Sequence, residues 1–166
     1  DARVTQIPAI VVRSIERAAV VATEVEFDRA NMRRAFERLH LVDGRSLREI
    51  IGRREFGRAS LILAEDGIEP QTLDRLTPFG AISFLTVRPK TSVGTLDVRI
   101  ADLAQRAGVP TAGLESIDEQ FKAVERVAEA AFVTELRAML ANPETFRQYM
   151  ESLVSRYREE AIGSLL

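Results

Sequence analysis

Val20-Val21-Ala22-Thr23-Glu24-Val25-Glu26-Phe27 is the stretch on which the fold turns. It is rich in β-branched residues, which suit a pleated, half-buried surface better than a helix. Alternation puts Val21, Thr23, Val25 and Phe27 on one face and Val20, Ala22, Glu24 and Glu26 on the other, so residues 20–27 read as a strand. Just upstream, Ser14 to Ala19 reads as the end of a helix entered through Pro8. Just downstream, Asp28 is placed to cap a helix carrying Met32, Phe36 and Leu39 on one stripe.

Further out, the chain is punctuated by helix signals. Asp43-Gly44 is a turn, and Ser46 with Glu49 makes a capping box ahead of a helix through Leu47, Ile50 and Ile51. Residues 56–66 read as helix broken at Gly67, and Pro70 sits in the first turn of the next, where its missing N–H is not needed. Ala81 to Val87 suits either a helix or a buried strand, and Pro89 and Gly94 mark a loop. Thr95 is placed to cap a helix with Leu96, Ile100, Leu103 and Ala107 at helical spacing, ended by Gly108 in the left-handed region. A second short strand covers 111–115. A second capping box, Ser116 with Glu119, then opens a helix with Ile117, Phe121, Val124 and Ala128 inward. Asn142-Pro143 starts a last helix that faces the core with Phe146, Met150, Leu153 and Tyr157. Residues 129–141 receive no assignment of their own.

The pattern is α/β and predominantly helical: one domain over residues 1–166, with short strands near 20–27 and 111–115. Helices between the strands predict parallel pairing. Two short strands make a poor sheet by themselves, since open edges invite partners. Either part of the sheet lies outside this chain or a second chain completes it, so a homodimer and a missing remainder of the same protein are both open.

Bulk properties remove several function classes. Net charge is -2 and the arginines are scattered, which gives no field for nucleic acid or an anionic membrane. There is no cysteine, which excludes disulfides, thiol catalysis and cysteine-ligated zinc. No apolar run is long enough to span a bilayer, and no signal peptide is visible. The single histidine, His40, does not supply the several His or Cys ligands that common zinc sites use; it follows a helix end, where the dipole favours it. No phosphate-binding glycine loop is present, and Tyr149 and Tyr157 fall on or near the apolar stripe of the last helix.

Two glutamates stand out by position. Glu24 lies toward the carboxyl end of the first strand, and Glu115 ends the second just before a helix. Ligands of open α/β sheets gather outside the carboxyl ends of strands. Paired carboxylates there bind a metal or divide acid and base roles. Each also has a plain structural use: Glu115 is favoured by the adjacent helix N-terminus, and Glu24 is free to pair with an arginine. Asp118 suits a helix first turn and Glu119 belongs to the capping box, which leaves Gln120 as the unexplained member of the cluster after Glu115.

The stretch Ala107-Gly108-Val109-Pro110-Thr111-Ala112-Gly113-Leu114-Glu115-Ser116-Ile117-Asp118-Glu119-Gln120 resembles a segment of the TraB/GumN family, a group with Tiki-like, erythromycin-esterase-like and ChaN-like kin. Leu96-Asp97 with Ala104 resembles its lead-in, and Ala18 to Asp28 its first strand, with Glu26 where an aspartate is usual. Leu41 to Leu47 and Leu73 to Phe79 resemble its helical middle. The resemblance implies Glu24, Glu115 and Gln120 as active-site residues, with Glu24 and Glu115 toward a divalent metal. It implies hydrolysis of a peptide bond, as in the animal membrane-bound members; for bacterial members the substrate, a peptide or a small molecule, is left open, and an envelope or exported location is compatible. The family also carries two G-x-x-H motifs, one before the first strand and one near the C-terminus. Neither occurs in these residues, nor does the expected Arg-Asn pair. The expectation is therefore a piece of a longer metal-dependent hydrolase, inactive alone. The alternative is a non-catalytic binding or assembly domain.

Overall fold

The computed structural model describes residues 7–87, 96–145 and 148. In chain order the elements are α1 (Ala9–Glu16), β1 (Val21–Val25), α2 (Arg29–Arg38), α3 (Leu47–Ile51), α4 (Arg53–Ala64), α5 (Pro70–Asp74), α6 (Pro78–Val87), α7 (Leu96–Arg106), β2 (Thr111–Glu115), α8 (Ile117–Glu125) and α9 (Glu129–Ala141). The fold is α/β and mostly helical, as the sequence predicts. The two strands pair parallel, with Val21 opposite Thr111, Thr23 opposite Gly113 and Val25 opposite Glu115.

Local signals explain most element starts. Asp28 accepts from the Asn31 N–H at 2.6 Å and opens α2. Ser46 with Glu49 and Ser116 with Glu119 form both halves of their capping boxes, at α3 and α8. Pro70 occupies the first turn of α5. Gly44, Gly67 and Gly108 adopt the left-handed conformation that ends their segments.

Burial divides the molecule in two. A continuous core joins Leu47 and Ile51 of α3, Phe56, Ala59 and Leu63 of α4, Leu73 and Leu76 around α5, Ala81 and Leu85 of α6, and Leu136, Met139 and Leu140 of α9. α9 is the element that the sequence reading leaves unassigned, and it supplies much of this core. Its Leu136, Met139 and Leu140 follow helical spacing, and Arg137 donates to the Ile51 carbonyl at 3.2 Å, satisfying the open end of α3. The ambiguous 81–87 segment is helix because it continues α6 into that core. Gly80 is packed so closely there that a Cβ would lie 2.5 Å from the Leu39 carbonyl oxygen.

The sheet has a thinner cover. α7 packs on both strands and on α1. Thr23 and Val25 are buried, as are Ile15, Ala101 and Ala104. The opposite face, with Ala22, Glu24, Ala112 and Leu114, is exposed, Leu114 at 77%. Two expected stripes shift. On α2, Met32 and Phe36 remain exposed and no residue is fully buried, because among the described residues the helix packs chiefly along one side, against α8. On α7 the buried positions are Ala101 and Ala104, while Leu96 is exposed: small residues let the helix lie close to the sheet. Ala128 caps α9 from an exposed position instead of facing inward. The expectations for Pro89, Gly94 and Thr95, and for Phe146, Tyr149, Met150, Leu153 and Tyr157, lie outside the described residues.

Candidate functional site

The carboxyl ends of β1 and β2 lie side by side, which brings Glu24 and Glu115 to one edge of the sheet. The register then separates them. Val25, not Glu24, stands opposite Glu115. Residues opposite one another in a parallel pair share a face, and successive residues alternate. Glu115 therefore shares its face with Thr23 and Val25, whereas Glu24 shares the other with Ala112 and Leu114. Both glutamates are exposed. Neither side chain makes a hydrogen bond or an ion pair among the described residues, so the arginine partner open to Glu24 is not there.

The close approach of the strands here depends on a missing side chain. A Cβ on Gly113 would lie 2.6 Å from the Glu26 backbone nitrogen, closer than real contacts allow. Glycine lets the end of β1 bend across β2. The Thr23 hydroxyl donates to the Val25 carbonyl at 2.7 Å, inside the buried side of the bend. The Asn31 side chain donates to the Glu26 carbonyl at 3.1 Å and carries the chain into α2.

The residues after Glu115 separate into structural and uncommitted groups. Glu119 accepts from the Ser116 backbone N–H at 2.8 Å and from its hydroxyl at 2.7 Å. These bonds stabilise the charged form and hold the Glu119 carboxyl below its ordinary value of 4.5. Asp118 is held by Arg38 at 2.9 Å, and the same guanidinium pairs with Glu125, so one side chain of α2 bridges two acids of α8. Gln120 is half-buried in the first turns of α8, and its side-chain amide has no partner among the described residues. Arg38 is the residue that sequence reasoning misses: its partners lie far along the chain, and no local spacing reveals them. His40 behaves as its position predicts, with Nδ1 2.7 Å from the Phe36 carbonyl in the last turn of α2.

These donors do not by themselves fit a resident metal. Among the described residues no group of three or more His, Cys, Asp or Glu side chains is arranged to hold a metal ion. Zinc centres draw three or four ligands from the chain, and two carboxylates on opposite faces fall short of that. An open groove of about 880 Å³ runs between α7 and the start of α2, with Glu26, Asp28, Arg29, Asp102 and Gln105 along it. Neither Glu24 nor Glu115 lines this groove. No described helix is long and apolar enough to cross a membrane.

The sequence model of the TraB/PrgY/gumN family matches residues 1–166. No curated protein matches the chain. No solved structure matches it either.

Proposed function

The chain belongs to the TraB/PrgY/gumN family, and from that premise we propose that it carries the carboxylate part of a metal-dependent, peptidase-like hydrolase and is inactive alone. The observation that supports this reading is the pair Glu24 and Glu115, exposed and unpartnered at the carboxyl ends of adjacent parallel strands. Of the acids around this edge, Asp118 is committed to Arg38 and Glu119 to the Ser116 cap. Uncommitted ones at a sheet's carboxyl edge suit chemistry.

In this reading Glu24 and Glu115 would be two of the ligands of a divalent metal whose remaining ligands these residues do not supply, and the metal would contribute Lewis acidity. One glutamate serves as ligand or as general base, accepting a proton from the attacking water within hydrogen-bond reach. Gln120 orients the ligand or the Glu115 carboxylate through its free amide. The substrate is a peptide or a smaller molecule with a hydrolysable carbonyl.

The test is calorimetric titration of the isolated chain with Mn2+ and with Zn2+, beside elemental analysis after dialysis. Weak binding, less than one retained equivalent, and further weakening by Glu24→Gln or Glu115→Gln are expected. One tightly held equivalent overturns the incomplete-site reading. Binding indifferent to both substitutions removes the two carboxylates from it.

A further inference from the structure

The outer edge of β2 is open in a specific way. The Val21 N–H donates to the Pro110 carbonyl at 2.9 Å, which sets the phase of the parallel ladder. In that phase the backbone groups of Ala112 and Leu114 face β1. The N–H and C=O groups of Thr111, Gly113 and Glu115 face outward, and none has a backbone partner among the described residues. Nor does the strand carry the usual protection of an edge. Between Pro110 and Ser116 there is no lysine, no proline and no bulge, and Ala112 to Glu115 are all exposed.

The sequence of this edge is complementary to itself. If β2 is turned about a two-fold axis through Gly113, Gly113 faces the partner's Gly113 and Thr111 faces the partner's Glu115. All of these residues have outward-facing backbone groups, so each facing pair exchanges both N–H···O bonds of an antiparallel ladder. Leu114 then falls beside the partner's Ala112 in the closer, non-hydrogen-bonded pairing, on the face that each molecule leaves bare. Each Glu115 meets a neutral threonine, and the two carboxylates stand at opposite ends of the joint, so no like charges face each other. Glycine at the centre leaves the axis free of side chains.

We propose that β2 is an interaction surface for a second copy of this chain, joined edge to edge in antiparallel register about Gly113 to give a continuous four-stranded sheet. The contact is isologous and closes on itself, as two-fold interfaces do. It widens a two-stranded sheet that is marginal alone and covers the exposed Leu114 side chain. The joint does not depend on the hydrolase reading, since it uses backbone groups and Leu114 and asks nothing of a metal or a substrate.

Sedimentation equilibrium over a range of micromolar concentrations tests it, with circular dichroism to verify the fold of each variant. The wild-type chain is expected to dimerise. Thr111→Glu sets like charges opposite each other at both ends of the joint and should weaken the dimer about tenfold, whereas Thr111→Lys sets opposite charges and should tighten it. Because the chain has no cysteine, the double variant Ala112→Cys with Leu114→Cys should oxidise to a covalent dimer, and each single variant should do so far less readily. A chain that stays monomeric overturns the proposal, whether its edge is open or is filled by another segment or a foreign peptide. So do Thr111 variants that shift the equilibrium in the same direction, or single cysteines that cross-link as well as the pair.

Discussion

Ser116 and Glu119 do their work within one helical turn, which is why the sequence reveals them. A hydroxyl at the cap and a carboxylate three residues on satisfy backbone donors that the first turn leaves unpaired. Ser116→Ala removes the hydroxyl from both bonds, and a loss of about 1 kcal/mol in urea unfolding is expected. The pH dependence has a definite sign. Glu119 is held below its ordinary value of 4.5, so its share of stability is complete above that pH and fades as the pH falls through the lower folded value. Asp43 behaves alike, its carboxyl lowered chiefly by the Arg45 side chain. Glu119→Gln should therefore flatten the stability profile below pH 4.5 and change it little in slope above. Other residues are not legible in this way. The bridge from Arg38 to Asp118 joins distant parts of the chain. The faces of Glu24 and Glu115 follow from a strand register that no single segment contains. Their types and positions at strand ends can be read from sequence; a one-residue offset, which turns one carboxylate away from the other, cannot.

At the scale of elements, packing overrides the periodic pattern where a segment is short or nearly all apolar. α6 has no polar side to betray its period, so helix and buried strand look alike until its place against α9 decides. α9 itself is an alanine-rich segment of good helix formers that carries no capping signal at its start, where Ala128 makes no side-chain hydrogen bond. α2 is the converse case, an apolar stripe with no layer to receive it; Phe36 lies against His40 instead, ring centroids 4.4 Å apart. The strands depend on Gly113 for a geometric reason. Gly113→Ala forces a methyl toward the Glu26 backbone nitrogen, and neither strand can yield without losing ladder bonds. A cost of about 1–3 kcal/mol is expected, read as a lower urea midpoint, with the helical core's signal least affected near the transition foot.

The whole molecule combines a well-filled helical core with a sheet that has one covered face. Phe79 of α6 links the core to the helix that follows β2, lying 6.3 Å from the Phe121 ring of α8 and 5.3 Å from that of Phe132 in α9. The Arg45 guanidinium adds a two-pronged grip on Glu129, 2.9 Å to each carboxylate oxygen. Local opening follows buried contact, so native-state hydrogen exchange should be slowest in α4, α6 and α9 and markedly faster in β1 and β2. Equal protection across both regions would refute this ranking. The register of the two strands also orders events in time. Val21 pairs with Thr111, and the chain between them holds α2 through α7. Closing so long a loop is entropically unfavourable until the intervening helices have condensed and shortened it. A ribosome releases β1 early and β2 only after most of the helical region, so the first strand must wait, unpaired, through much of synthesis. Glu24 within that strand and Glu26 just after it carry charge that disfavours its pairing with strands of other nascent chains while it waits.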